Sequence, residues 1–509
     1  MLSTAFAEVA TASLGATLPP MRRLIALALL AAALLAAALL AGCGSSSSSS
    51  KKVDPTGAAL SYFPASTPFV MTAATDPNSA AAKQSQTLSA RIPAIALGKA
   101  AAIERLQQLG INYQTDLRPL FGNPIAIGAT TATLSGAASS QFLVSWVTKS
   151  ASKLKALIAR FHALHAAGTR DGAQLYSGSG LGLAVSGATL LFSPNPGAVT
   201  AALDRHAHGG GVTSAQRASE TSGLSSASAL QAFGSLTNVL SGPSSAIARR
   251  VPWVAAIRGY GLALNSSSSG FTIQYRVDTT GGSLTSAQLP LASGSTPPSL
   301  AGDLPIEMAM RDPAQVARFA ESAAQAANPA SYAKFLTREA AFKRKTGLDL
   351  NSLVGLLTGD LIVESDTHTT IGRATVSNPA TAAGDLRKLV AAPKGIFNKG
   401  TSYKSLGGGL YAVRTSSMTL TIGVIGSQLV LGRASTAAVR SFATAPTTPA
   451  SGASGALAFK VSLLDLLHTA LKHPPSQTAQ ALLKLLGNVT GSTSASPSGL
   501  SGSATLSLR

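Results

Sequence analysis

Four landmarks occur twice along this chain, in the same order, and that recurrence constrains the fold more than any other feature. An apolar run closing on Asp-Pro stands at Phe69-Val70-Met71 to Asp76-Pro77 and again at Ile306-Glu307-Met308 to Asp312-Pro313. Two helical stretches interrupted by proline, at Pro93 and at Pro329, follow and end at Gly110 and Gly347. Gly110 to Ile125 then aligns without gaps on Gly347 to Ile362, matching Leu120 with Leu357 and Gly122 with Gly359. Val185-Ser186-Gly187 to Leu203 aligns without gaps on Val424-Ile425-Gly426 to Phe442. Both stretches close on an alternating strand, Phe271 to Val277 and Ala504 to Leu508. The pattern predicts two tandem copies, over residues 60–285 and 298–509, with a Gly, Ser and Pro-containing linker at 286–297.

Within each copy, strand-like runs alternate with helices. Five helix starts are predicted at an acid or amide followed by proline: Asp76-Pro77, Asn195-Pro196, Asp312-Pro313, Asn328-Pro329 and Asn378-Pro379. The side chain accepts a bond from an orphan backbone N–H, and proline at the next position has no N–H to leave unpaired. Ser152–Ala166 places Leu154, Leu157, Ile158, Phe161 and Leu164 on one helical face. Phe271 to Val277 alternates and predicts a strand with one wet face. Gly187 and Gly426 each sit between short apolar runs and predict hairpin turns. The fold class is therefore α+β: each copy a largely antiparallel sheet with helices packed on one face.

The N-terminal segment predicts location. Met21, Arg22 and Arg23 form a short basic region, Leu24 to Leu40 are all Ala, Leu or Ile, and Leu40-Ala41-Gly42-Cys43 follows. This resembles a bacterial lipoprotein signal peptide, in which cleavage falls between Gly42 and Cys43 and the cysteine thiol receives the lipid. A transmembrane anchor is the alternative for seventeen apolar residues in a row. Cys43 is the one cysteine of the chain, which excludes disulfide scaffolds, cysteine-ligated zinc and dithiol redox chemistry. Residues 1–20 carry Glu8 and no Lys or Arg, so Met21 is the expected start, with 21–42 as the signal peptide. Residues 43–59 are the lipidated cysteine and a tether containing Ser45 to Ser50, whose Lys51 and Lys52 would face anionic headgroups.

Tyr62-Phe63-Pro64-Ala65-Ser66-Thr67-Pro68, Thr75-Asp76-Pro77 and Asp116-Leu117-Arg118-Pro119-Leu120-Phe121-Gly122 resemble motifs of domain-of-unknown-function family 3352. That resemblance implies a secreted or lipid-anchored bacterial protein. It implies no activity and no functional residues.

Candidate chemistry is thin. Ser150-Ala151-Ser152-Lys153, Ser193-Pro194-Asn195 and Lys345-Thr346-Gly347 follow the order of the penicillin-interacting serine enzymes, with Ser150 as nucleophile and Lys153 as its base. Against that reading, Asn195 is already explained as a helix cap, and Gly347 as a helix stop. His162 with His165, and His206 with His208, are the only paired histidines, short of the three or four ligands zinc requires. Gly407-Gly408-Gly409-Leu410-Tyr411-Ala412 fits a loose dinucleotide motif, but the next residues read as a strand, which predicts a hairpin.

Forty Lys and Arg against twenty Asp and Glu give a net charge of +20, dense only at Lys343-Arg344-Lys345 and Arg249-Arg250 and with few interleaved aromatics, so nucleic acid is not the expected partner. The expectation is a non-catalytic protein on the outer face of the bacterial cytoplasmic membrane. It would be held there by its lipid and meet anionic lipids or wall polymers, with no metal or cofactor. A carrier of lipid or another apolar ligand is the alternative, and a serine acyl-enzyme the third reading.

Overall fold

The computed structural model describes residues 54–92, 100–129, 142–161, 164–178, 181–241, 245–279, 284–293, 298–391, 401–450, 455–470 and 484–509, apart from single positions at 102, 105, 109, 358, 416 and 417. Gly42 and Cys43, and with them the whole lipidation segment, lie outside the described residues, as do Pro93 and His162. The protein is α+β and dominated by antiparallel sheet. It divides into two compact bodies. One holds the described residues up to 241 with Arg258–Asp278; the other holds 245–257 and the described residues from Thr279 on.

The first body starts with helix α1 (Pro55–Leu60) and strand β1 (Phe69–Ala73), followed by α2 (Ala80–Arg91), β2 (Ile125–Ala129), β3 (Phe142–Val147) and α3 (Ala151–Ile158). A run of hairpins continues through β4 (His165–Arg170), β5 (Ala173–Gly178), β6 (Leu181–Ser186) and β7 (Thr189–Ser193). Helices α4 (Pro196–His208) and α5 (Ser214–Glu220) lead to β8 (Leu230–Ser235), β9 (Ile257–Ser267) and β10 (Gly270–Thr279). Hydrogen bonding orders the strands β4-β5-β6-β7-β3-β2-β1-β8-β9-β10. Its main core gathers Leu60 of α1, Phe63, Val70, Leu143, Leu191, Val199 of α4 and Phe233 between sheet and helices. The opposite face of the central strands buries Met71, Ala73 and Ala232, so both faces of this region are covered.

The second body begins at β11 (Ser299–Leu300) and β12 (Ile306–Met310), with helices α6 (Pro313–Ala327), α7 (Pro329–Thr346) and α8 (Leu350–Gly355). Then come β13 (Leu361–Ser365), β14 (Thr370–Thr375), α9 (Pro379–Ala391), β15 (Ser402–Gly407), β16 (Leu410–Arg414), β17 (Thr419–Ile425) and β18 (Gln428–Arg433). It closes with α10 (Thr436–Thr444), β19 (Thr448–Pro449), β20 (Leu457–Ser462), α11 (Leu463–Ala470), β21 (Leu486–Ser496) and β22 (Gly499–Leu508). Strand order is β15-β16-β17-β18-β14-β13-β12-β20-β21-β22. A separate two-stranded ribbon pairs β11 with β19. The core packs Val439 and Phe442 of α10 on Ala309, Ile362, Ile371, Leu410 and Val430.

Four of the five acid- or amide-proline starts cap helices. Asn195 accepts from the Gly197 N–H, Asp312 from Gln315, Asn328 from Ser331 and Asn378 from Thr381. Asp76 does not: it accepts from the Asn78 N–H, and the helix begins later with Ser79 as its cap. Asp76-Pro77 is thus a turn, because Ser79 offers a second cap that local sequence does not rank against the first. The helix expected over Ser152–Ala166 ends at Ile158, and His165 opens β4. Phe161 and Leu164 still pack on the same cluster as Leu154 and Leu157, carried by two short turns with i→i+3 bonds. Those turns keep the apolar spacing that imitated a longer helix. In β10, Ile273 is 48% exposed, and after Gly270 no residue of that strand is buried; its alternation marks a strand and not a core face.

Candidate functional site

A groove of about 620 Å³ opens in the second body. Its floor is one face of four neighbouring strands. The register places Glu307 of β12 beside Lys460 of β20, Lys460 beside Thr490 of β21, and Thr490 beside Thr505 of β22. One step along, Ser492 pairs with Ser503. Residues two apart on a strand share a face, so these hydroxyls lie on the same face as the Lys460 side chain, on the side away from Glu307. The Lys460 Nζ donates to Glu307 Oε1 at 2.6 Å; the Glu307 side chain is 6% exposed and that of Lys460 40%.

Each rim is held by a buried charge rising from the sheet. Glu364 of β13, directly opposite Glu307, accepts from the backbone N–H groups of Asp303 at 3.0 Å and Leu304 at 3.4 Å. Burial pushes its carboxyl above the ordinary range, and the two N–H donors oppose that rise. Gly302 turns with φ +117°, where a Cβ would meet Glu364 Oε2, so the rim depends on glycine there. Next to it on the same face, Arg373 of β14 donates to Phe442 O at 2.6 Å and to Ala445 O at 2.8 Å, its guanidinium 5.2 Å from the centre of the Phe442 ring. These carbonyls end α10, where a cation is favoured. The β11–β19 ribbon joins the two rims, Leu300 opposite Thr448. The result is a hydroxyl-lined slot with one donor-acceptor charge pair at its base.

The residues singled out by motif hold architectural posts. Ser150 caps α3 by accepting from the Lys153 N–H at 3.3 Å. Ser193 is fully buried, donates to Phe142 O at 2.8 Å and accepts from the Asn195 N–H. Ser193 binds the start of β3 and Ser150 follows its end, a separation of roughly 20 Å at 3.3 Å per extended residue. Lys345 lies in the last turn of α7, which Gly347 ends, and belongs to the second body. His206 stacks on Tyr62 at 4.3 Å, with Nδ1 2.7 Å from Ser61 Oγ, and His208 Nδ1 lies 2.8 Å from Asp204 O. His165 is exposed on β4, not on a helix. Among the described residues no three His, Cys, Asp or Glu side chains gather as a metal site. Gly407 to Gly409 form the β15–β16 turn, all at positive φ.

Two of the motifs that carried the family resemblance meet in space, at Thr75 and Gly122. The Gly122 N–H donates to Thr75 Oγ1 at 3.0 Å, and the Thr75 hydroxyl donates to Asn123 O. Asp116 accepts from the Asn112 N–H at 2.8 Å and from Arg160 at 2.7 Å, and the backbone bond leads in holding its carboxyl low. Phe63 lies over Gly128, where a Cβ would strike its ring. These contacts build the fold.

One titratable group stands apart in the first body. Glu220, at the end of α5, has Oε2 buried beside Gly259 without a hydrogen-bond partner. Burial, then the Asp278 carboxylate, push its pKa up to about 7, while Gln216 and Arg276 pull it down.

Motif reading missed Glu307, Glu364, Arg373 and Lys460. A signal was present: Ile306-Glu307-Met308 and Leu361-Ile362-Val363-Glu364 each put an acid inside an apolar strand, and such acids are rarely buried unless paired.

The profile of a family described as protein of unknown function, DUF3352, matches residues 24–362. No curated protein matches the sequence. Among solved structures, crystal forms III, I and IV of TP0453 are similar at 8%, 7% and 9% identity. They cover 46%, 46% and 43% of this chain and 83%, 82% and 79% of TP0453, with TM-scores of 0.27, 0.27 and 0.26. Scores this low carry no argument about function. Among the described residues no helix is long and apolar enough to cross a membrane.

Proposed function

Because the chain belongs to domain-of-unknown-function family 3352, we propose that it is a non-catalytic, lipid-anchored binding protein of the bacterial cell envelope, built from two tandem α+β copies. The observation that carries the binding role is the groove of the second body, whose rims are fixed by Glu364 and Arg373 around the Lys460–Glu307 pair. A slot already held in shape loses little freedom on taking a ligand. The charged floor speaks against a carrier of apolar molecules, whose site would be lined mainly by apolar side chains. The cap roles of Ser150 and Ser193 and their separation speak against an acyl-serine mechanism.

Support for the tandem reading comes from the ladders. Both bodies carry a four-stranded hairpin run, then three central strands, then a closing meander. Counting register from the Gly187 and Gly426 hairpins places Ile362 with Ala126, both buried. That is one residue away from the gapless sequence alignment, which set Ile362 on Ile125.

Anchoring is tested at Cys43. Metabolic labelling with palmitate and membrane fractionation should find the wild-type chain lipidated and sedimenting with membranes. Cys43→Ala should be unlabelled and unprocessed. A cleaved Cys43→Ala product of unchanged mobility in the membrane fraction would sink the lipoprotein reading. Fluorescent penicillin should leave the protein unlabelled; a signal lost in Ser150→Ala would make it an acyl-serine enzyme.

A further inference from the structure

Resting on the binding reading, we propose that the groove of the second body takes a neutral polyhydroxylated ligand, a short stretch of glycan. Hydrogen-bond chemistry carries the assignment. Lys460 only donates and Glu307 only accepts, and they sit 2.6 Å apart at the floor. A pair of neighbouring sugar hydroxyls, each both donor and acceptor, satisfies both at once. Thr490 and Ser503 extend the same two-way chemistry along the floor.

Charged ligands fit less well. An anion would meet Asp303 and Glu307, both in the lining, with Glu364 behind them. A cation would find Glu307 already paired with Lys460, in a chain of net charge +20. The volume of about 620 Å³ lies within the small-molecule range, roughly 300–1,000 Å³. The first body shows that this place in a sheet of the same strand order can be closed. There Phe63 covers Gly128 and packs with Val70 and Phe233. In the second body the corresponding row is Lys460, Glu307 and Glu364; the Asp303 and Leu304 backbone covers Glu364, and Lys460 and Glu307 line the groove.

The full chain is titrated calorimetrically with trisaccharides from chitin, starch and mannan, and with spermidine and inositol hexaphosphate as cationic and anionic probes. At least one trisaccharide should bind with Kd below about 1 mM. Thr490→Val and Ser503→Ala should each weaken it by about fivefold, the size of one hydrogen bond, with unchanged thermal unfolding. Hydrogen exchange should slow on β20–β22 in the complex. The proposal is overturned if no trisaccharide binds, if binding is indifferent to both variants, or if spermidine or inositol hexaphosphate binds tighter and loses affinity in those variants. Anchoring through Cys43 is read by fractionation and is untouched by any of these results.

Discussion

Across the central strands of the first body one row reads Phe233, Val70, Gly128, Leu143; in the second body the row at the same place in the strand order reads Lys460, Glu307, Glu364, Ile371. Next to it, Ser145 stands in one and Arg373 in the other, both buried. One ladder therefore supports two opposite interiors. The apolar row is closed by the Phe63 ring. The charged row is stable only because each charge finds a fixed partner: Lys460 for Glu307, two backbone N–H groups for Glu364, two carbonyls for Arg373. Backbone pairing decides where a row lies. Side chains decide whether it becomes core or site.

The sharpest way to break the comparison is to unpair the charged row. Lys460→Met leaves the Glu307 carboxylate, 6% exposed, facing Glu364 with no cation. We expect a loss of about 3–5 kcal/mol in urea unfolding. Glu307→Val leaves Lys460, which is 40% exposed and keeps its water, so the loss should be about 1 kcal/mol. The double change Glu307→Val with Lys460→Phe copies the first body's row and should recover most of the stability. Equal losses from the two single variants would show that the pair is not buried as described.

In the first body, Phe63→Ala should cost about 3–5 kcal/mol by opening a cavity over Gly128. Hydrogen exchange should place the loss on β1, β2 and β8 and leave β12, β13 and β20 protected. Uniform deprotection of both sets would argue against two separately packed cores.

A smaller effect concerns pH. Glu220 is raised above its unfolded value to about 7, so its favourable contribution is complete below about pH 4.5 and is lost as pH rises through 7. Thermal stability of the first body should fall from pH 5 to pH 8, and Glu220→Gln should flatten that slope. Asp278 and Arg276 share the neighbourhood of Glu220. An unchanged slope in Glu220→Gln would assign the titration elsewhere.

The smallest effect tests the likeness of the two bodies. Gly187 and Gly426 turn their hairpins at φ +57° and +55°. Alanine at either should cost about 1–2 kcal/mol, and the two costs should agree. Different costs would mean that the two turns do not occupy the same structural position.

Much of the skeleton was legible. Four caps, both glycine hairpins and the helix stop at Gly347 follow from local chemistry that each residue carries wherever it sits. Ser193 and Asn195 were also legible as architecture rather than catalysis, since the cap explained them without a pocket. The misses were non-local. Asp76 lost its capping role to Ser79, and α3 stopped at Ile158 while Phe161 and Leu164 kept their burial by another route. The groove was invisible because its parts come from 153 residues apart in the case of Lys460 and Glu307.

By itself, then, the sequence determined the element types, the turn positions and the α+β class, because propensity, capping and alternation act within a few residues. It also determined the family, through short motifs that turn out to hold the first body together. Only the tertiary structure decided that an acid in an apolar run at Glu307 would find Lys460, that Glu364 and Arg373 would spend their charges on two loops, and that a groove would remain between them. The reason is physical: a lone buried charge is costly, and whether it has a partner depends on which strands become neighbours, a choice made by the whole ladder and by no single segment.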